Sequence, residues 1–159
     1  MTKALITFFS KSGHTEEMAF FISESLKKDG LDVNIKPIDK VKVDDLLKFE
    51  VILIGSPTYY GVMAKEIKEL LDESVRFHGQ LKGKIGGAFT SAANIGGGNE
   101  TTILSILNAF LVHGMIITGN PFGDHYGPVS IGKPGNRAKD QCVQYAEIIA
   151  ELTKRIYRE

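Results

Sequence analysis

The sequence predicts an α/β fold in which five parallel strands form one sheet, wound on both faces by helices. Two observations carry that prediction. Apolar, β-branched runs of strand length alternate with segments whose apolar residues recur at helical spacing. Three of those runs end in loops rich in hydroxyl, aromatic or glycine residues, and right-handed crossovers hold such loops on one edge of the sheet. A chain of 159 residues, 43% hydrophobic and 24% charged, is long enough to bury a sizeable core. One domain over residues 1–159 is expected, since no repeat, low-complexity tract or linker divides it.

The first run, residues 3–9, is short, apolar and β-branched or aromatic, as a buried strand requires. From Thr15 onward, Met18, Phe21, Ile22 and Leu26 recur at helical spacing until Asp29-Gly30 stops the helix. Residues 32–38 read as a second strand with Val33 and Ile35 inside, and residues 43–49 as a short helix or turn. Val51-Ile52-Leu53-Ile54 is continuously apolar, the pattern of a parallel strand covered on both faces. It runs into Gly55-Ser56-Pro57-Thr58-Tyr59-Tyr60-Gly61, where Pro57 and two glycines enforce a loop. A helix follows over 64–73, through Ile67, Leu70 and Leu71. Residues 84–89 form a fourth strand, whose Gly86-Gly87 pair marks close approach by a neighbouring element. Then come a glycine-rich loop over 90–99, a helix over 101–113 ended by Gly114, and a fifth strand over 115–118. A long loop over 119–136 leads to a closing helix over 138–157.

Composition and motif content remove several function classes. Nineteen Lys and Arg balance nineteen Asp and Glu, so no overall field favours nucleic acid or an anionic membrane. The most apolar window, 103–117, is interrupted by Asn108, His113 and Gly114 and is too short to span a bilayer. No secretory signal pattern opens the chain, so a soluble cytoplasmic protein without membrane insertion is expected. A lone Cys142 excludes an internal disulfide, and its spacing with Ala146, Ile149 and Leu152 makes it a packed core thiol. His14, His78, His113 and His125 lack paired ligand spacing, so no metal site is expected. G-x-G-x-x-G is absent. Gly127-Pro128-Val129-Ser130-Ile131-Gly132-Lys133 imitates a Walker A loop, but Pro134 stands where a Ser or Thr would hold magnesium. Pro128 also removes a backbone donor from it. A phospho-receiver would need a carboxylate where Ser10 and Gly55 begin the first two loops.

What remains is a constellation of three loops. Ser10, Lys11, Ser12, Gly13, His14 and Thr15 lie between the first strand's carboxyl end and the first helix's amino end. A helix start presents unpaired N–H groups and the positive end of the dipole, which favour an anion. The hydroxyls add donors, although Ser12 or Thr15 could simply cap the helix. Pro57, Thr58, Tyr59, Tyr60 and Gly61 put two adjacent aromatics on the second loop. Ser91, Ala92, Ala93, Asn94, Ile95, Gly96 and Gly97 offer backbone groups to the polar edge of a ring. A ligand with a phosphate at one end and a planar ring at the other uses all three loops, with stacking contributing about 1 kcal/mol per ring pair. Flavin mononucleotide (FMN) fits, and a doubly wound sheet of order 2-1-3-4-5 places it at the switch point between strands one and three.

The segments Ser10-Lys11-Ser12-Gly13-His14-Thr15, Gly55-Ser56-Pro57-Thr58-Tyr59-Tyr60-Gly61-Val62-Met63 and Gly83-Lys84-Ile85-Gly86-Gly87-Ala88-Phe89-Thr90-Ser91 resemble the flavodoxin superfamily. Within it, Gly96-Gly97-Gly98-Asn99-Glu100-Thr101-Thr102-Ile103 and His113-Gly114-Met115 resemble the tryptophan-repressor-binding-protein branch, the flavodoxin-like NAD(P)H:quinone oxidoreductases. The similarity runs from about residue 3 to residue 118; beyond Gly119 only Tyr126-Gly127 is similar to that branch. The resemblance implies a flavodoxin-like sandwich, with FMN phosphate on Ser10 to Thr15 and the isoalloxazine against Thr58, Tyr59 and Tyr60. It also implies ring-edge contacts from residues 91–97. The chain departs from the branch in three places: the insertion between strands two and three is absent, Val112-His113 replaces a histidine pair, and Arg76-Phe77-His78 lies where a tryptophan is usual.

Two principal functions follow. One is electron transfer, with FMN passing electrons to redox partner proteins and loop contacts tuning the flavin, Gly61 being a candidate for a backbone group that rearranges toward N5. The alternative is an FMN-dependent NAD(P)H:quinone oxidoreductase, with hydride taken from NAD(P)H and passed to a small quinone, His125 or Tyr126 lining the acceptor pocket. A third is an FMN-binding regulator without turnover. The sequence leaves a homodimer open.

Overall fold

The computed structural model describes residues 1–157. Five parallel strands, β1 (Lys3–Phe8), β2 (Asp32–Pro37), β3 (Val51–Pro57), β4 (Ile85–Ala92) and β5 (Val129–Ile131), hydrogen-bond in the order β2-β1-β3-β4-β5. Four helices cover the sheet: α1 (His14–Lys28), α2 (Lys65–Glu73), α3 (Asn99–Val112) and α4 (Asn136–Ile156). Residues 38–50, where the insertion was expected to be absent, hold two short 3-10 turns, Ile38–Lys40 and Val43–Lys48.

The continuous apolar strands divide their side chains between two cores, because successive Cβ atoms point to opposite faces. Ala4, Ile6, Phe8, Leu53 and Phe89 meet Met18 and Ile22 of α1 and Ile149 of α4. Leu5, Ile52, Ile54 and Ala88 meet Ile67 of α2 and Ile103, Ile106 and Phe110 of α3. Each fully buried large side chain contributes about 2 kcal/mol. The two glycines of β4 do what their position suggested. A Cβ on Gly86 would fall 2.7 Å from the Phe110 ring, and one on Gly87 2.0 Å from the Tyr145 hydroxyl. Bare backbone thus lets α3 and α4 approach from both sides. Tyr145 and Cys142 are buried there; desolvation raises the phenol and pushes the thiol up to about 12, so Cys142 is an inert core residue.

The fifth strand is not where the sequence placed it. Residues 115–118 make one isolated parallel bridge, Ile85 with Ile116, and the paired strand is Val129–Ile131, inside the stretch read as a loop. The intervening residues leave the sheet edge and return, so thirteen positions on this side span five on β4. Further boundaries move. Strand β3 runs on through Pro57, β4 continues through Ser91 to Ala92, and α3 already begins at Asn99. Thr90, Ser91 and Ala92 are therefore ladder residues rather than free loop.

At the lower end of α3, His113 is buried and its Nε2 lies 2.8 Å from Ser74 Oγ, which itself donates to the Leu71 carbonyl at 2.6 Å. Nε2 must therefore carry the hydrogen, and the buried Nδ1 has no partner among the described residues. Burial first, and the nearby His78 second, lower its pKa from 6.5. The folded state thus binds this proton less readily than the unfolded chain. Stability is full above pH about 6.5 and is lost as the pH falls from there through the folded-state value. In His113→Asn the urea midpoint is expected to fall less between pH 7.5 and 5.5 than in the parent chain; parallel losses would exclude His113 as the source.

Candidate functional site

The three loops converge above the carboxyl ends of β1, β3 and β4. Gly13 precedes α1 with φ 91°, and Ser10 Oγ accepts from the backbone N–H groups of Gly13 at 3.1 Å and Glu16 at 3.3 Å. Capping therefore comes from Ser10, not from Ser12 or Thr15. Thr15 is buried and its hydroxyl lies 2.8 Å from Ser91 Oγ, tying the first loop to the third. Ser12, His14 and Lys11 are left facing a cavity.

The second and third loops are joined just as closely. Thr58 N–H donates to the Ser91 carbonyl at 2.8 Å. Thr90 Oγ1 donates to the Ser56 carbonyl at 2.7 Å, so at the 2.9 Å contact with Thr58 it accepts. Tyr59 and Val62 exchange both backbone bonds at 3.1 Å, with Tyr60 at φ 52° and Gly61 at φ 77°, a two-residue turn of the primed kind. Tyr59 is fixed edge-on against Phe9 with ring centroids 6.5 Å apart. Tyr60, by contrast, points fully into solvent.

Beneath this turn lies Gly98. A Cβ on Gly98 would sit 2.4 Å from the Gly61 Cα, and its own φ is 99°. Only a residue without a side chain permits both the contact and the conformation. The glycine run in the sequence signalled this region, yet Gly98 lay outside the expected site residues.

The resulting cavity has a volume of about 390 Å3 and is lined by Lys11, Ser12, His14, Thr15, Pro57, Thr58, Tyr59, Ser91, Ala92 and Ala93, together with Gly132. Ten of the expected residues thus share one space. Ser10 and Gly13 shape its first loop from behind. Tyr60, Gly61, Asn94, Gly96 and Gly97 are not part of its wall, and Ile95 lines a neighbouring cavity. His125 and Tyr126 line neither; His125 Nδ1 lies 2.8 Å from the Asn120 carbonyl. Lys11 and His14 are the basic residues of the wall, and among the described residues no carboxylate lines it.

Gly132 is in place because β5 is clamped from outside. Arg137 at the start of α4 makes a two-pronged contact with Asp124 and donates to the Val129 carbonyl at 3.0 Å. Asp124 accepts from Val129 N–H at 2.9 Å, and Gln141 Oε1 accepts from Asp124 N–H at 2.7 Å. Nothing in the local sequence pattern pointed to this clamp.

A parallel 2-1-3-4-5 sheet with a donor-rich cavity at the switch point, free of carboxylates among the described residues, is the arrangement at which doubly wound α/β folds bind small ligands. Comparison with known proteins narrows the class. The family profile described as a flavodoxin domain matches residues 5–94. The chain is 36% identical to a flavodoxin of Clostridium saccharobutylicum, over 98% of this chain and 99% of that one. It is 32% identical to an NAD(P)H dehydrogenase (quinone) of Azorhizobium caulinodans, over 84% of this chain and 77% of that one. Among solved structures, a flavodoxin from the domain Archaea superposes with TM-score 0.81 at 28% identity, covering 96% of this chain and 99% of that one. A WrbA-like flavodoxin from Agrobacterium tumefaciens shares the fold with TM-score 0.85 at 20% identity, covering 98% and 99%. The chain belongs to the flavodoxin family. Membership implies a flavin cofactor, and the residues present suit FMN: hydroxyl and N–H donors with basic side chains at one end, an aromatic at the other. Among the described residues no helix is long and apolar enough to cross a membrane.

Proposed function

We propose that residues 1–159 act as one FMN-binding domain that carries electrons between redox partner proteins in the cytoplasm. The observation that carries this reading is the single cavity where the phosphate-suited loop, Tyr59 and the Thr58–Ser91 seam meet. The loop from Ser10 to Thr15 holds the phosphate through the backbone N–H groups at the start of α1 and the Ser12 hydroxyl, with Lys11 adding positive charge and His14 a ring donor. Tyr59 supplies a ring face, and the 91–97 segment supplies backbone groups for the polar rim, the Gly61–Gly98 contact keeping the two loops in register. Bound FMN supplies reversible one- and two-electron chemistry. The 36% identity to the clostridial flavodoxin supports the carrier reading.

The quinone dehydrogenase relatives, at 32–34% identity, favour a second reading: oxidation of NAD(P)H with reduction of a small quinone, in a monomer or a homodimer. One preparation separates the two. Titration of the full chain with FMN, followed by quenching of flavin fluorescence, is expected to reach a single equivalent. Anaerobic mixing of the loaded protein with NAD(P)H and benzoquinone is expected to give negligible turnover. Rapid turnover would transfer the assignment to the second reading, and a chain that takes up no FMN would defeat both.

A further inference from the structure

A second cavity, of about 370 Å3, lies between the starts of α3 and α4. It neighbours the first: Ala93 and Gly132 line one, while Ile95, Ile131 and Lys133 line the other, so only the chain over 93–97 and the end of β5 stand between them. Its wall combines three chemistries. Ile95, 85% exposed, and Ile131, 41% exposed, leave apolar surface that nothing in the chain covers. Glu100 and Lys133 stand at exposed positions on the same wall, and neither side chain has a hydrogen-bond or ion-pair partner among the described residues. The other two charges are spent on each other, since Arg137 is paired with Asp124. An apolar plate, a free carboxylate and a free ammonium are thus presented together, in a volume typical of small-molecule sites.

We propose that this cavity binds a nucleoside diphosphate with an unmodified ribose diol. The base covers Ile95 and Ile131. The Glu100 carboxylate, an acceptor on both oxygens, takes the diol hydroxyls, and the Lys133 ammonium takes the phosphates as a point charge. A carboxylate at the ribose also disfavours a 2′-phosphate, the logic that separates the two pyridine dinucleotides elsewhere. The proposal touches the flavin reading only at Ile95, whose segment 91–97 is assigned to the flavin's rim; the cavity's other residues are separate from those assigned to FMN.

The test is calorimetric titration of the full FMN-loaded chain with adenosine diphosphate (ADP). Saturable binding is expected, weakened about tenfold or more by Lys133→Glu. Adenosine 2′,5′-bisphosphate is expected to bind about tenfold more weakly than adenosine 5′-monophosphate, which differs from it only at the 2′ position, and Glu100→Gln should close that gap. FMN uptake, read by fluorescence, should be the same in both variants, whose altered side chains are solvent-exposed. Absence of saturable ADP binding up to millimolar concentration would overturn the proposal, as would an affinity unchanged in Lys133→Glu. Displacement of ADP by FMN from the flavin-free chain would overturn it too, by placing ADP in the phosphate loop. ADP binding that responds to both variants in a chain unable to take up FMN would sustain it while sinking the flavin reading.

Discussion

Gly127→Ala is expected to lower the stability of the fold by about 3 kcal/mol or more, the sum of backbone strain and overpacking. Gly127 is buried with φ 144°, and a Cβ there would fall 2.1 Å from the carbonyl oxygen of Ala88 and 3.2 Å from its carbon. The obstacle is the backbone of β4 itself, so no side-chain rotation relieves it. Gly127 is the point at which the chain returns to the sheet before β5, just after the clamp residue Asp124, so the substitution pushes β5 outward. The urea midpoint should fall with the slope unchanged. Gly135→Ala is the control: it meets nothing within 4 Å and its φ of −98° is ordinary, so only its place as the α4 N-cap is touched and its effect should stay within about 1 kcal/mol. Equal midpoints for the two variants would refute the close approach.

Ser12→Asp is expected to weaken FMN binding on the order of 100-fold. A carboxylate near 4 Å from a phosphate charge is opposed by roughly 4 kcal/mol at an effective dielectric constant of 20, and exposure of residue 12 to solvent reduces this by about a third. Ser12 is exposed, so the fold should be untouched. Thr15→Val provides the contrast. It removes the 2.8 Å bond to Ser91 without adding charge, and should weaken binding by about tenfold or less through a loosened seam. Flavin fluorescence titration reads both. Unchanged affinity in Ser12→Asp would remove the phosphate from this loop.

Most of the sheet was legible because parallel strands buried on both faces carry apolar runs, and β1, β3 and β4 do. The fifth strand misled for the same reason. Residues 115–118 carry the stronger apolar signal but form one bridge, whereas Val129–Ile131 is three residues between Pro128 and Gly132, too short to stand out. Its pairing is decided by tertiary contacts, namely the Asp124–Arg137 clamp and the close approach of Gly127, which no local period encodes. The site's three loops were visible because their residue types are unusual for loops that only connect. How they lock together was not. The Thr15–Ser91 and Thr58–Thr90 bonds join residues 76 and 32 positions apart, and Gly98 meets Gly61 from another loop. Capping by Ser10 rather than Ser12 or Thr15 likewise depends on the positive φ of Gly13, a backbone choice that composition leaves open.

The break in the fifth strand divides the sheet's edge into two parts that answer to different neighbours. The lower part follows the end of α3, where Met115 N–H donates to the Phe110 carbonyl, and meets β4 through the Ile116 bridge to Ile85. The upper part pairs with Thr90, Ser91 and Ala92 of β4 and is pinned to α4 through Arg137, Gln141 and Asn120–Gln144. Local opening follows such contact boundaries. The closing helix and the floor of the cavity are therefore tied together by these bonds, while the same helix shares a core with α1, β1 and β3. Whatever loosens the carboxyl-terminal helix loosens the ligand's seat with it, and a ligand seated there in turn holds that helix down.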